Sequence, residues 1–180
     1  MRVTIIGTGY VGLVSGVCMA TKGHNVTCVD VNSEIVNKLN KGESTIYERD
    51  LQNLLQQAIS DNNFRATTNL NEAIESSSVV MIAVGTPTNN GQIDLSYVKQ
   101  VSHTIGDYIG GTSKSVCVVI KSTVIPGTTS GLVRKIIEKS SNKQLGQFHL
   151  GMNPEFLREG NAVDDFINPD RIIIGYETDK

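Results

Sequence analysis

The stretch Val3-Thr4-Ile5-Ile6-Gly7-Thr8-Gly9-Tyr10-Val11-Gly12 decides the fold. A short apolar, β-branched run ends in Gly-x-Gly-x-x-Gly, and a helical pattern begins at once. Each glycine has its own task. Gly7 permits the tight turn, Gly9 lets the backbone approach a pyrophosphate, and Gly12 lets the helix pack close to the strand. The first helical turn then offers free N–H groups and a partial positive charge to phosphates. The same glycines would also serve a strand–helix turn with no ligand. What separates the two readings is Asp30, eighteen residues after Gly12 and directly behind a second apolar run at 26–29. A carboxylate there accepts hydrogen bonds from ribose hydroxyls and repels a 2′-phosphate, which favours NAD over NADP. Asp30 could instead cap the following helix, because Asp, Asn32 and Ser33 are all good caps.

Outward from this unit, strand-like and helix-like segments alternate. Strands are predicted at 3–6, 26–29, 64–66, 79–84, 116–120, 148–152 and 172–174, and helices at 11–22, 34–40, 51–59, 70–75, 95–109 and 128–139. The helix at 95–109 carries apolar residues at 95, 98, 101, 105 and 109, close to a 3.6-residue period. Pro126 suits the entry to the helix at 128–139. Wholly apolar strands separated by helices imply a doubly wound α/β fold, with a mostly parallel sheet covered on both faces. Residues 1–180 read as one Rossmann-type domain.

In such a sheet the C-terminal ends of the parallel strands share one edge, where ligands bind. The loops that fall there converge in character. After the strands come Gly7 to Gly12, then Asp30, then Val84-Gly85-Thr86-Pro87-Thr88, then Lys121-Ser122-Thr123-Val124, then Asn153-Pro154-Glu155. Gly85 to Thr88 could be a plain turn and Ser122 a cap; the functional reading places them beside a cofactor, with the Thr123 hydroxyl in the crevice. Glu155 and Glu159 would share a face if a helical turn links them. Such a pair could hold a water, act as a base or bind sugar hydroxyls, or it could be a solvated face with Arg158 as neighbour.

Composition narrows the function. Sixteen Lys and Arg against eighteen Asp and Glu argue against general nucleic-acid or anionic-membrane binding. The longest apolar runs, 79–84 and 116–120, are too short to cross a bilayer. Gly7 interrupts the first run too early for a secretory leader. Three cysteines without a CxxC pair suggest reduced thiols in a cytosolic protein. Cys18, Cys28 and Cys117 lie in apolar stretches and are expected to be buried structural thiols. No histidine spacing suits a metal.

The segments GTGYVGL (7–13), VGTPT (84–88), KSTVIPGT (121–128), NPEFLREG (153–160) and NPDRIIIG (168–175) occur in the order found in nucleotide-sugar dehydrogenases. The chain resembles the N-terminal NAD-binding domain of that family, in particular of its UDP-glucose 6-dehydrogenases, over essentially its whole length. The resemblance implies a two-step oxidation of a sugar-nucleotide alcohol to a carboxylate, with two NAD⁺ reduced, UDP-glucose as substrate and a cysteine thioester on the way. It implies that Gly7, Gly9, Tyr10, Val11, Gly12 and Asp30 bind NAD. Val84, Gly85, Thr86, Pro87, Thr88, Ser122, Thr123 and Val124 would line the same cofactor. It gives catalytic parts to Thr123, which positions a water, to Glu155, which assists proton transfer, and to Glu159, beside the nicotinamide. Glu155, Phe156, Leu157, Arg158 and Glu159 would border the substrate.

Two departures stand out. Members often carry Lys or Arg where this chain has Ile35, which bears on the adenosine half, and many read IYEPGL where this chain has Ile46-Tyr47-Glu48-Arg49-Asp50-Leu51. The family's nucleophilic cysteine, central helix and sugar-nucleotide domain lie beyond this length. The 180 residues are therefore expected to bind NAD without completing turnover, and a homo-oligomer is expected of the full-length protein. Rival readings are a GDP-mannose or UDP-N-acetyl-hexosamine dehydrogenase and a non-catalytic NAD-sensing module.

Overall fold

The computed structural model describes residues 1–177. In chain order these form β1 (Arg2–Ile6), α1 (Tyr10–Thr21), β2 (Asn25–Val29), α2 (Ser33–Asn40), α3 (Leu51–Ser60), β3 (Phe64–Thr67), α4 (Leu70–Ser76) and β4 (Val79–Ile82). A small hairpin, β5 (Thr88–Asn89) and β6 (Gln92–Ile93), precedes α5 (Ser96–Gly110) and β7 (Cys117–Ile120). A π-helical segment (Thr128–Val133) runs into α6 (Arg134–Ser141), followed by β8 (His149–Met152), α7 (Ala162–Ile167) and β9 (Gly175–Glu177).

The main sheet has the order β3-β2-β1-β4-β7-β8-β9. Every pairing is parallel except β8–β9. The chain runs outward from β1 to β3, then crosses back to β4 on the far side of β1. The direction of winding therefore reverses between β1 and β4, and a crevice opens at their C-terminal ends. Helices cover both faces. On one, α1, α2, α3 and α7 bury Val3, Ile5, Cys28 and Met81. On the other, α4, α5 and α6 bury Val80, Ile82, Val118, Ile120 and Phe148. Burial on both faces is why these strands read as unbroken apolar runs.

Three expectations need correction. The strand at 79–84 ends at Ile82, where the chain turns into the crevice loop. The helix expected at 128–139 is divided. Its wider first part brings Thr128 and Val133, five residues apart, to the same buried side, before α6 resumes ordinary spacing and buries Ile137. The strand expected at 172–174 lies three residues later, as β9. Ile172 and Ile174 are exposed and outside the ladder. Pairing with β8 stops at Gly175 opposite Met152 because the next β8-side residues are diverted. The Asn153 amide bonds Ile120, its side chain donates to the Ile173 carbonyl at 2.9 Å, and Pro154 has no N–H to offer.

Candidate functional site

The glycine loop lies where the winding reverses. Gly7 has φ +99°, and its amide donates to the Val29 carbonyl at 2.8 Å. A Cβ on Gly7 would lie 2.7 Å from the Ala83 carbonyl oxygen, so the turn can touch the end of β4 only without a side chain. A Cβ on Gly12 would lie 2.0 Å from the Gly7 oxygen, which is how α1 packs onto the loop. A Cβ on Gly9 would meet nothing within 4 Å. Gly9 is thus free of packing duty and faces open space. It is also the N-cap of α1, with no side chain to cap the helix and no acid in the first turn. By contrast, Asn32 caps α2 and Asn69 caps α4, each with a glutamate in the first turn. The first-turn N–H groups of α1 have no acceptor inside the helix and open onto the vacant side of Gly9. An uncapped N-terminus beside a clear backbone face fits a pyrophosphate.

Asp30 stands at the end of β2, beside this opening. It does not cap α2; Asn32 does, accepting from Glu34 N at 2.9 Å and Ile35 N at 3.4 Å. Asp30 Oδ2 accepts from the Thr8 amide at 3.1 Å and from the Thr8 hydroxyl, and Oδ1 accepts from Asn32 N at 2.9 Å. An ionised carboxylate has about four lone-pair positions, so room remains for a diol. Val31 is 98% exposed, an apolar surface next to that carboxylate. Ile35, in the family's basic position, is half buried against the α1-side core and offers no charge.

The loops after β4 and β7 are tied together. Ser122 is buried, and its hydroxyl donates to the Val84 carbonyl at 2.7 Å. The Thr86 hydroxyl donates to the Thr123 carbonyl at 2.7 Å. The Ser122 hydroxyl is therefore committed to the scaffold. Thr123 is exposed, and its hydroxyl has no protein hydrogen-bond partner among the described residues. Gly85 is exposed with nothing within 4 Å of a Cβ, and Pro87 and Thr88 are exposed beyond it. Val124 packs on the second core. Lys121 is 4% exposed; its ammonium donates to Asn153 Oδ1 at 3.0 Å and lies 5.9 Å from the Phe166 ring centre. Burial pulls it below its usual pKa, against the opposing charge of Glu155.

Residues 153–160 form an extended loop, so no helical turn links Glu155 and Glu159. Pro154 at its head disfavours a helical Asn153. Glu155 Oε2 accepts from Leu157 N at 2.7 Å, and Leu157 packs on the first core. Phe156 is exposed with the Arg171 guanidinium 4.8 Å from its ring centre. The Arg158 guanidinium is held by Asp165, at 3.1 Å and 2.5 Å from the two carboxylate oxygens. Glu159 is exposed near Tyr10. The Tyr10 hydroxyl donates to Glu48 and accepts from Gly160 N at 3.0 Å. Its phenol is pushed up to about 12 by burial first, then by the Glu48 carboxylate and the charge of Glu159. The acid-bearing loop is thus fastened to the first residue of α1.

The thiols stand apart. Cys18 and Cys28 are buried, and burial pushes both up to about 12. Cys117, expected to be buried, is half buried, at the N-terminal end of β7 and away from the crevice edge.

The sequence names Thr8 within the glycine loop, Lys121 within a crevice loop and Glu48 within a departing run, but gives no part of their own to these or to Val31. Lys121 carried a usable signal, a lysine directly behind an apolar strand. Glu48 carried none, because its partners lie 38 to 114 residues away.

A family model described as the NAD-binding domain of the UDP-glucose/GDP-mannose dehydrogenase family matches residues 1–180. GDP-mannose 6-dehydrogenase of Pseudomonas putida is 43% identical over 177 residues, 97% of this chain and 40% of that protein. UDP-glucose 6-dehydrogenase of Rickettsia bellii is 44% identical over 176 residues, 97% of this chain and 39% of that protein. Among solved structures, a ternary complex of GDP-mannose dehydrogenase from Pseudomonas aeruginosa superposes with a TM-score of 0.96 at 42% identity, covering 98% of this chain and 41% of that one. The chain spans about 40% of the length of the curated relatives it matches. A family model that spans the chain, with relatives of both enzyme types matching 97% of it on a fold that opens an uncapped helix beside the Asp30 carboxylate, leads to one assignment: the chain belongs to the UDP-glucose/GDP-mannose dehydrogenase family and is its NAD-binding domain.

Proposed function

We propose that this domain is the cofactor half of an enzyme that oxidises the primary alcohol of a nucleoside-diphosphate hexose to a carboxylate, and that the hexose donor is UDP-glucose. One observation carries the reading. The acid-bearing loop, residues 153–160, is fastened through Gly160 to Tyr10, the first residue of the helix whose open N-terminus suits the dinucleotide. This fastening supports a reading with hydride acceptor and proton acceptor at one edge, an arrangement a non-catalytic sensor would not need. GDP-mannose is the second reading, favoured by the TM-score of 0.96 to a GDP-mannose dehydrogenase.

NAD⁺, when bound, supplies hydride acceptance at its nicotinamide, and two equivalents are needed for alcohol to carboxylate. The chain's own residues do the rest. Asp30 takes the ribose hydroxyls, and the first-turn N–H groups of α1 take the pyrophosphate. Glu155 accepts the proton released as the alcohol is oxidised and orients water later, with Thr123 holding that water. Glu159 borders the nicotinamide. Overall, one alcohol, two NAD⁺ and one water give one carboxylate, two NADH and three protons. Burial pushes all three thiols up, and Cys117 sits at the end of β7 away from the crevice, so none of them suits the covalent step, which would fall to another cysteine.

A chimera joining residues 1–177 to the C-terminal remainder of the Rickettsia bellii enzyme tests this. It should form two NADH per UDP-glucose consumed, while the 180-residue chain alone should form none. A folded chimera that binds UDP-glucose but never reduces NAD⁺ would contradict it. NADH formation by the full-length protein that carries residues 1–180, assayed with UDP-glucose and with GDP-mannose, separates the two substrate readings.

A further inference from the structure

Glu48 lies on the loop between α2 and α3, away from every strand end, yet it is 5% exposed. A carboxylate taken out of water needs hydrogen bonds or a cation. It forms no salt bridge among the described residues. Instead Oε2 accepts from the Tyr10 hydroxyl and from Gly160 N at 2.9 Å, and Oε1 accepts from Ala162 N at 3.1 Å. Burial opposes the charge, but the bonds from Tyr10 and the amides of Gly160, Ala162 and Arg49 outweigh it and hold the carboxyl below its usual pKa. Both oxygens are thus engaged by two pieces of chain. One is the residue that follows Gly9. The other is the end of the loop that carries Glu155 and Glu159, where it enters α7.

We propose that Glu48 is a positioning residue, which clamps the acid-bearing loop onto the first turn of α1 so that filling the glycine loop steadies Glu155 and Glu159. The ligand-linked part rests on the reading of NAD binding above; the clamp itself does not. Glu48 touches no reacting atom and acts through Tyr10, Gly160 and Ala162. Glutamine at this position keeps the shape but loses acceptor capacity, and it presents an NH₂ to amide donors. Where local opening is rare, losing the clamp raises it strongly while changing ligand affinity little.

Amide hydrogen exchange on the 180-residue chain tests this, with and without NADH. In the wild type NADH should slow exchange at Gly160 and Ala162 by about tenfold or more. In Glu48→Gln that slowing should vanish, with NADH affinity within about threefold of wild type and β1 and β4 amides unchanged. The Tyr10 phenol should also titrate below its wild-type value of about 12, read by ultraviolet absorbance. If Glu48→Gln does not fold, Tyr10→Phe removes the bond to Glu48 and the direct bond from Gly160 N while leaving both amide bonds to Glu48, and should also lose the NADH-dependent slowing at Ala162, which Tyr10 reaches only through Glu48. Slowing that persists in either folded variant overturns the proposal and leaves NAD binding intact. If the wild type binds no NADH, the functional reading fails, and the ligand-free comparison decides the clamp. Selectively faster exchange at Gly160 and Ala162 in Glu48→Gln supports it; unchanged exchange overturns it.

Discussion

The Thr8 amide and the Thr8 hydroxyl both donate to one oxygen of Asp30, Oδ2, the amide at 3.1 Å. The glycine loop therefore fixes the carboxylate at the end of β2 with the protein's own donors. Preorganisation of this kind reduces the ordering cost of binding. Asp30→Asn keeps the shape but loses charge and acceptor capacity. It should weaken NADH binding by ~1–2 kcal/mol, about five- to thirtyfold. The wild type should also bind NADH more tightly than NADPH, and Asp30→Gly should narrow that gap. Calorimetry with both ligands reads each effect; equal affinity of the wild type for the two would contradict the assigned role.

The glycines of the loop should separate into two kinds. At Gly12 a methyl group would lie 2.0 Å from the Gly7 oxygen, so Gly12→Ala must push α1 away from the strand. A loss of about 2–4 kcal/mol in stability is expected, by urea unfolding. At Gly9 a methyl group meets nothing, so Gly9→Ala should cost under ~1 kcal/mol of stability and still impair NADH binding by filling the pyrophosphate face. Equal destabilisation by both would show that Gly9 serves packing.

Lys121 should leave a mark on the pH dependence of stability. Its ammonium is held below 10.5 by burial, with Glu155 opposing. The unfolded chain binds this proton more tightly than the folded one, so stability rises as pH climbs through the folded pKa toward 10.5. Lys121→Met keeps side-chain length and removes the titration. Thermal melts between about pH 7 and about pH 10 should show the wild type gaining on the variant as pH rises. Taking the difference cancels Tyr10, whose raised pKa acts oppositely and lowers stability only above its unfolded value of 10.0. Parallel curves would show that Lys121 is not penalised by burial.

Asp50 has φ +63° and precedes α3 without a side-chain cap. It occupies the glycine position of the family's IYEPGL run, and the left-handed backbone gives the reason for glycine there. Asp50→Gly should therefore not destabilise the chain, whereas Asp50→Val should cost roughly 1–2 kcal/mol. Denaturant midpoints of the two variants give the comparison.

Much of this was legible in the sequence, for identifiable reasons. The runs at Val3 and Val26 and the helix bearing Val98, Ile105 and Ile109 follow local periodicity, and tertiary packing agrees with it. Gly7 turns and Gly12 packs closely as their spacing implies. What failed was non-local. Ile172 to Ile174 have strand composition, but pairing is broken by Asn153 and Pro154, about twenty residues earlier. The helical turn between Glu155 and Glu159 gives way to a loop in which the Glu155 carboxylate takes the Leu157 amide, a contact between side chain and backbone that spacing does not announce. Glu48 looked like a loop residue because its meaning lies in Tyr10, Gly160 and Ala162, which no local pattern joins.

The central claim is that a dinucleotide seats on the glycine loop with its ribose at Asp30. Its most direct test is NADH titration of the ¹⁵N-labelled chain followed by amide chemical shifts. Saturable shifts should be largest at Gly9, Tyr10, Val11, Gly12 and Val31, and amides near Cys117, at the far end of β7, should stay still. An absence of saturable shifts up to millimolar NADH, or shifts centred away from this loop, would contradict it.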